Sequence, residues 1–251
     1  MALRPLIAAV ALTDDVLPAA GDVLGRLHAH WPQIPAVAEP AVRPGVLIFN
    51  LEDDAAGVAL LPKPLPWEDL AGPCAAAWYW PQAEQAFRQH RTHLIATLMT
   101  RSHDRIQSAL HLTALVAAAA ESSSAAGIYW NPGRLVHAPA AFLQESLAMS
   151  REDLPLNLWI DFRILPEPEG GHSLFTTGLA AFGHRELEIW QSRQSPQFLR
   201  DCAYNVVHYV LQRGAALKAN ETIGLSDEER IPITIEPSRW DPSMTVVRLE
   251  V

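Results

Sequence analysis

The chain has 251 residues, 49% of them hydrophobic and 19% charged, with a formal net charge of -9. That balance excludes a disordered polypeptide and suffices for one large domain or two smaller ones with proper cores. The 19 basic residues are scattered among 28 acidic ones, which excludes the clustered Lys and Arg that nucleic-acid binding draws on.

Residues 5–12 read as a buried strand. The run is short for a signal peptide and ends at Thr13-Asp14-Asp15, where Thr13 is placed to cap a helix. That helix carries Val16, Leu17, Ala20, Val23, Leu24, Leu27 and Trp31 at a 3.6-residue period, with Pro18 as a competing start and Pro32 as the stop. Strands are expected at 45–50 and 58–61 around a polar hairpin loop at 52–57. The Pro-rich segment 62–69 cannot be interior sheet. A short helix over 82–89 and a strand over 93–100 complete a β-α-β-β-α-β order, that of a ferredoxin-like unit.

An Ala-rich helix is predicted over 104–121, a short strand over 127–130, and a helix from Pro139 to about Met149. Residues 156–165 alternate, with Leu156, Leu158, Ile160, Phe162 and Ile164 on one side and Asn157, Trp159, Asp161 and Arg163 on the other. This period of two predicts an antiparallel strand covered on one face. Its partner is 172–178, and 186–190 is a further strand. Ser195, Pro196 and Gly214 mark the ends of a helix with a stripe of Leu199, Cys202, Ala203, Val206 and Val210. Two last strands fall near 232–235 and 245–251.

The expected fold is therefore α+β: two packed α/β-sandwich halves with mainly antiparallel sheets, the first ferredoxin-like. The soft boundary lies near residue 101 (1–100 and 101–251), with one continuous domain as the alternative. No apolar stretch reaches the ~18 residues of a membrane span. Cys74 and Cys202 lie far apart and outside any C-x-x-C pair. A disulfide stays open on spacing, but two thiols in so long a chain point to a reducing, cytoplasmic compartment.

Signatures of common catalytic sites are missing: there is no G-x-G-x-x-G, P-loop, G-x-S-x-G, H-E-x-x-H or paired-Cys zinc motif. No catalytic residue, metal ligand or cofactor is assigned. His90-x-x-His93 could share a metal on one helical face, with His103 or His111 as a third ligand, but a helix-to-strand junction between them spoils the spacing. Structural or surface histidines, hydrogen-bonded to backbone or carboxylates at the junction, are the favoured alternative. Trp67, Trp78, Tyr79 and Trp80 cluster, and Tyr129-Trp130 recur on a later strand. Such residues suit binding surfaces, though core packing is the commoner use of Trp. Trp159 falls on the polar side of its predicted strand and calls for a cover. Glu68 and Asp69 suit the first turn of a helix better than acid–base work. The acidic run within 221–233 reads as a solvated loop without calcium-loop spacing.

Several segments together resemble a bacterial family known as domain of unknown function 4261. They are Leu65-Pro66-Trp67-Glu68-Asp69-Leu70, Trp80-Pro81, His90-Arg91-Thr92-His93-Leu94-Ile95, Gly127-Ile128-Tyr129-Trp130 and Leu156 to Phe162. Gly178-Leu179, Ala181-Phe182-Gly183 and Glu221-Thr222-Ile223-Gly224 through Ile231-Pro232-Ile233 complete the set. The resemblance runs from about residue 45 to the end. It implies no activity and no catalytic residues; neighbourhood to secretion and toxin-immunity genes implies an interaction role.

The leading reading is a non-enzymatic protein-binding factor of immunity or accessory type, partnered by another protein or by a second copy of itself, without nucleic acid or membrane. Its candidate binding residues are Trp67, Trp80, His90, His93, Tyr129, Trp130 and Trp159. The alternatives are a metal-dependent or acid–base enzyme using His90 and His93, and a small-ligand sensor.

Overall fold

A computed structural model describes residues 6–34, 40–51, 54–100, 104–224 and 230–251. The chain folds as α+β with two mainly antiparallel sheets. Contacts divide it into two units at Leu158/Trp159, whereas the sequence places a boundary near residue 101.

In the unit ending at Leu158, β1 (Ile7–Leu12) leads to α1 (Ala20–His30), then β2 (Ala41–Arg43), β3 (Val46–Leu51) and β4 (Asp54–Leu61). Two short helices follow, α2 (Trp67–Ala76) and α3 (Ala83–Gln89), then β5 (Thr92–Thr100), α4 (Arg105–Glu121), β6 (Ala125–Trp130), β7 (Leu135–His137) and α5 (Pro139–Ala148). The strands form one sheet in the order β2-β3-β4-β5-β1-β6-β7, every pairing antiparallel. The expected β-α-β-β-α-β succession gains an extra strand (β2–β4 follow α1) and an extra helix (α2 and α3 precede β5), and the ferredoxin-like pairing is absent among the described residues. That unit would set its first strand between its third and fourth; here β5 sits between β4 and β1. The sheet also continues into β6 and β7, past the boundary expected at residue 101.

Small residues let helices close on this sheet. α4 is Ala-rich and almost wholly buried, and the side chain of its cap, Asp104, accepts a hydrogen bond from the Gln107 N–H at 3.0 Å. Ala9 and Ala11 of β1 pack under α2 and α3 on the other side. Gly127 is the tightest point: a Cβ there would lie 2.7 Å from Cζ of Phe87 and 3.1 Å from the Trp80 ring. α1 starts at Ala20, later than a Thr13 cap would have it, because Pro18 sits just ahead of the helix. Asp54–Gly57, expected in a loop, instead extend β4 in register with β5; Glu52 and Asp53 lie outside the described residues.

From Trp159 onward the chain builds a second sheet. Its strands are β8 (Asp161–Pro166), β9 (His172–Thr177), β10 (Leu187–Ser192), β11 (Thr222–Gly224), β12 (Arg230–Pro237) and β13 (Thr245–Leu249). They lie in the order β11-β12-β13-β10-β9-β8, with only β10 and β13 parallel. A 3-10 turn spans Leu179–Phe182, and α7 spans Pro196–Arg213. α7 has the expected ends: the Ser195 Oγ accepts from the Phe198 N–H at 3.2 Å, and Gly214 takes the left-handed conformation (φ 62°). Its stripe, including Leu199, Cys202 and Val206, is buried.

The predicted strand 156–165 is half wrong. Leu156–Trp159 form a short helix, α6, and the strand begins at Asp161. Pro155 opens that turn, its carbonyl accepting from the Leu158 N–H at 2.9 Å. Leu156, Leu158, Trp159 and Ile160 are all buried, so burial falls on every side and the period of two there carried no strand information. No helix among the described residues is long and apolar enough to cross a membrane.

The Gly127 contact yields a direct test. Gly127→Ala should lower stability by about 1–3 kcal/mol through overpacking, read from chemical denaturation. Adding Phe87→Leu should recover part of that loss, since the two sites touch.

Candidate functional site

The predicted residues separate into three places. Trp67, Trp80 and Tyr129 join one apolar cluster with Leu70, Cys74 and Phe87, where α2 and α3 cover β1, β6 and β7. Phe87 is its hub, edge-on to Trp80 (ring centroids 5.9 Å apart) and to His90 (6.0 Å). Arg88 stacks over Trp67 at 3.9 Å. Trp130 follows Tyr129 on β6 and so points to the opposite face, where it is fully buried against Phe142 of α5. Trp159 is in the other unit, buried against Phe182 at 5.3 Å. The cover it needs is the 3-10 turn.

His90 and His93 are occupied by backbone. His90 closes α3; its Nε2 accepts from the Leu65 N–H at 2.7 Å, so its Nδ1 carries the proton given to the Phe87 carbonyl. His93 donates from Nδ1 to the Lys63 carbonyl at 2.7 Å. Together they hold the Pro-rich segment 62–66, whose prolines supply no N–H. Both nitrogens of His90 are spent, leaving no lone pair for a metal. His103 lies outside the described residues. His111 faces Asp54 at 2.9 Å within α4's buried surroundings. Among the described residues no group of three or more His, Cys, Asp or Glu could hold a metal ion.

Glu68 and Asp69 take the first turn of α2 as expected. Cys74 and Cys202 are free and buried, and burial pushes the Cys74 thiol up to about 11, which makes it a poor nucleophile. Part of the acidic run, 225–229, lies outside the described residues.

A different set of residues assembles in the second unit. One face of its sheet is apolar: Leu174, Leu187, Ile189, Val247, Leu249 and Ile233 are buried there, and Phe162 meets Tyr204 of α7. Strand alternation places Arg163, Phe175, Glu188, Arg248 and Thr234 on the other face, in one row across five strands. Among the described residues no helix of this unit covers that row.

Glu188 organises the row. It is only 2% exposed, yet its carboxylate accepts from the Ser238 hydroxyl at 2.5 Å, the Trp190 indole N–H at 2.5 Å and the Arg239 N–H at 3.2 Å. Ser238 Oγ in turn accepts from the N–H groups of Trp240 and Asp241 at 3.1 and 3.0 Å. The loop between β12 and β13 is thereby folded over the sheet. Trp240 lands on Phe175, with ring centroids 4.7 Å apart. Arg239 makes a forked ion pair with Glu167 at 2.6 and 3.0 Å. The guanidinium and the Ser173 hydroxyl hold the Glu167 carboxyl below the usual range. Arg248 stacks over Trp190 at 4.4 Å and reaches Glu236 at 3.2 Å. The arginines stay about one-third exposed, as does Trp240.

Sequence reasoning missed this face. Its signal was present in Leu187-Glu188-Ile189-Trp190, whose alternation sets an acid and a Trp opposite two aliphatics. What brings Arg239, Trp240 and Arg248 to the same place is strand order, which no local pattern encodes.

With this geometry in view, the comparisons add one similarity. Residues 175–250 match the family described as Domain of unknown function (DUF4261). The stretch contains Phe175, Glu188, Trp190, Arg239, Trp240 and Arg248. It also holds the resembling segments from Gly178 onward; those before residue 175 fall outside the match. Neither a curated protein nor a solved structure matches the chain significantly.

Burial also gives the fold a pH dependence. His137 is buried beneath Tyr79 and Phe142, and loss of solvent pulls its pKa from 6.5 to about 4, against a backbone hydrogen bond to Leu158. Burial lowers His93 as well, helped by neighbouring His90 and Lys63, although its bond to the Lys63 backbone opposes this. Both pKa values are depressed, so the unfolded chain takes up protons first. Stability is full above pH 6.5 and falls as pH drops toward the folded values. For His137 the loss should be about 3 kcal/mol between pH 7 and 4, at ~1.4 kcal/mol per pH unit. Denaturation midpoints across that range, compared with His137→Phe, should show the variant losing less.

Proposed function

We propose that the protein is a non-enzymatic binding protein that engages a protein partner through the helix-free face of its second sheet. The observation that carries this reading is the Arg–Trp row itself. Trp190 and Trp240 are held rigid by Glu188 and Ser238, and each lies under an arginine. Trp and Arg are the residues that most often dominate binding energy, and anchors fixed before binding lose little entropy. The three arginines are each paired with a carboxylate on the same unit. Such a face favours a mixed polar and aromatic protein surface over a polyanion. An immunity or accessory factor is the kind of binding protein the resemblance suggests.

The enzyme reading has less behind it. It rests on His90 and His93, whose described bonds all go to backbone.

Affinity capture from the native host, followed by titration of the captured protein, tests the proposal. Trp240→Ala and Arg248→Ala should each weaken the complex by about 2 kcal/mol, roughly thirtyfold in Kd. Trp78→Ala, which removes an aromatic that is 82% exposed in the other unit, should leave Kd unchanged. The reverse pattern would move the interface to α2 and its neighbours. Sedimentation of the pure protein identifies a second copy of the chain as the partner if the same variants dissociate a dimer.

A further inference from the structure

The second unit also holds a cavity that the proposed face does not use. It measures about 220 Å³ and lies on the α7 side of the sheet. Val207 and Val210 of α7, Leu187 and Val247 of the parallel pair β10–β13, Leu179 and Leu217 form its apolar wall. His184 and Arg185 line it too. His184 is half-buried, Arg185 is exposed, and neither side chain makes a hydrogen bond or ion pair among the described residues. The adjacent acid, Glu186, does not neutralise them. Its carboxylate accepts from the Thr176 hydroxyl at 2.8 Å and from the N–H groups of Gly178, Leu179 and Ala180 at 3.0, 3.3 and 3.1 Å. It is thus committed to the N-terminus of the 3-10 turn.

An apolar chamber with an unpaired guanidinium and imidazole is chemically one-sided. An alkyl body gains by burial inside it, and an anionic head gains a charge-assisted partner beside it. A phosphate or other strongly hydrated anion has no use for the aliphatic wall, and a neutral hydrocarbon has none for Arg185. Drug-sized ligands occupy pockets of roughly 300–1,000 Å³, so this one takes something smaller. We propose that the cavity is a binding site for a small amphiphilic monocarboxylate of roughly eight carbons, with its chain between α7 and β10–β13 and its carboxylate at His184 and Arg185.

The full chain, titrated with octanoate and separately with octanol by calorimetry and amide NMR, tests this. Octanoate should bind, with shifts confined to residues around Leu187, Val210 and Leu217. Shortening the chain to hexanoate should weaken binding by roughly fourfold per methylene. Arg185→Gln should weaken octanoate by about tenfold and leave octanol unchanged. Ala216→Phe, which adds bulk from the loop after α7, should block both ligands. Val210→Phe provides the same test from the helix, with circular dichroism checking the fold. No octanoate binding to the wild type would overturn the proposal. So would equal binding of both ligands to the wild type and Arg185→Gln, or shifts mapping elsewhere. Trp240→Ala should not change octanoate binding, so this site and the protein-binding face fail or stand separately.

Discussion

The buried carboxylate of Glu188 is the constraint on which the second unit's surface depends. A carboxylate taken out of water costs several kcal/mol unless donors replace the lost hydration. Here the donors are one indole, one hydroxyl and one backbone N–H. Two of the three belong to the loop after β12, so the loop cannot leave without stranding the charge. That single requirement fixes where Ser238, Arg239 and Trp240 sit. Through them it fixes Glu167 and Phe175, on two other parts of the sheet. The face is built around an electrostatic need, with the aromatic contacts added on top of it.

Two of the aromatic clusters do different work. Around Phe87, Trp67 and Trp80 pack with α2 and α3 on small residues of β1 and β6, and the histidines beside them tie down a proline-rich strap. This is local stability. Around Glu188, Trp190 and Trp240 stay partly open with arginines laid across them. The opposite face of that sheet is plain aliphatic core against α7, which leaves one side free to vary its chemistry without unfolding the unit. The cavity at Leu187 and Val210 lies on the aliphatic side, so the two proposed sites share strands but not surfaces.

Much of the fold was legible. Helix ends written in side-chain chemistry came out well: Asp104 before α4, Ser195 and Gly214 around α7. So did strands with one polar and one apolar side, such as β9 and β10. The failures have a common cause. Residues 156–160 alternate by accident, because every one of the apolar groups there is buried and Pro155 favours a turn. α1 starts beyond Pro18, at Ala20, and not at a Thr13 cap. Strand order was unreadable, since β5 pairs with β1 across eighty residues of chain and periodicity reports only which face is apolar. The candidate site suffered most from this. His90, His93 and the Trp67–Trp80 cluster are conspicuous in sequence because they are close together in it. Glu188, Arg239 and Arg248 are spread over sixty residues and meet only once the sheet forms.

Glu188 seats the β12–β13 loop. Hydrogen exchange of the Trp190 indole N–H and the Arg239 amide, followed by NMR, tests this most directly. Both should be protected in the wild-type protein, and Glu188→Ala should release both while the amides of Leu174 and Ile189 in the strands remain protected. Exchange of the Trp190 indole and Arg239 amide at unprotected rates in the wild type would contradict it.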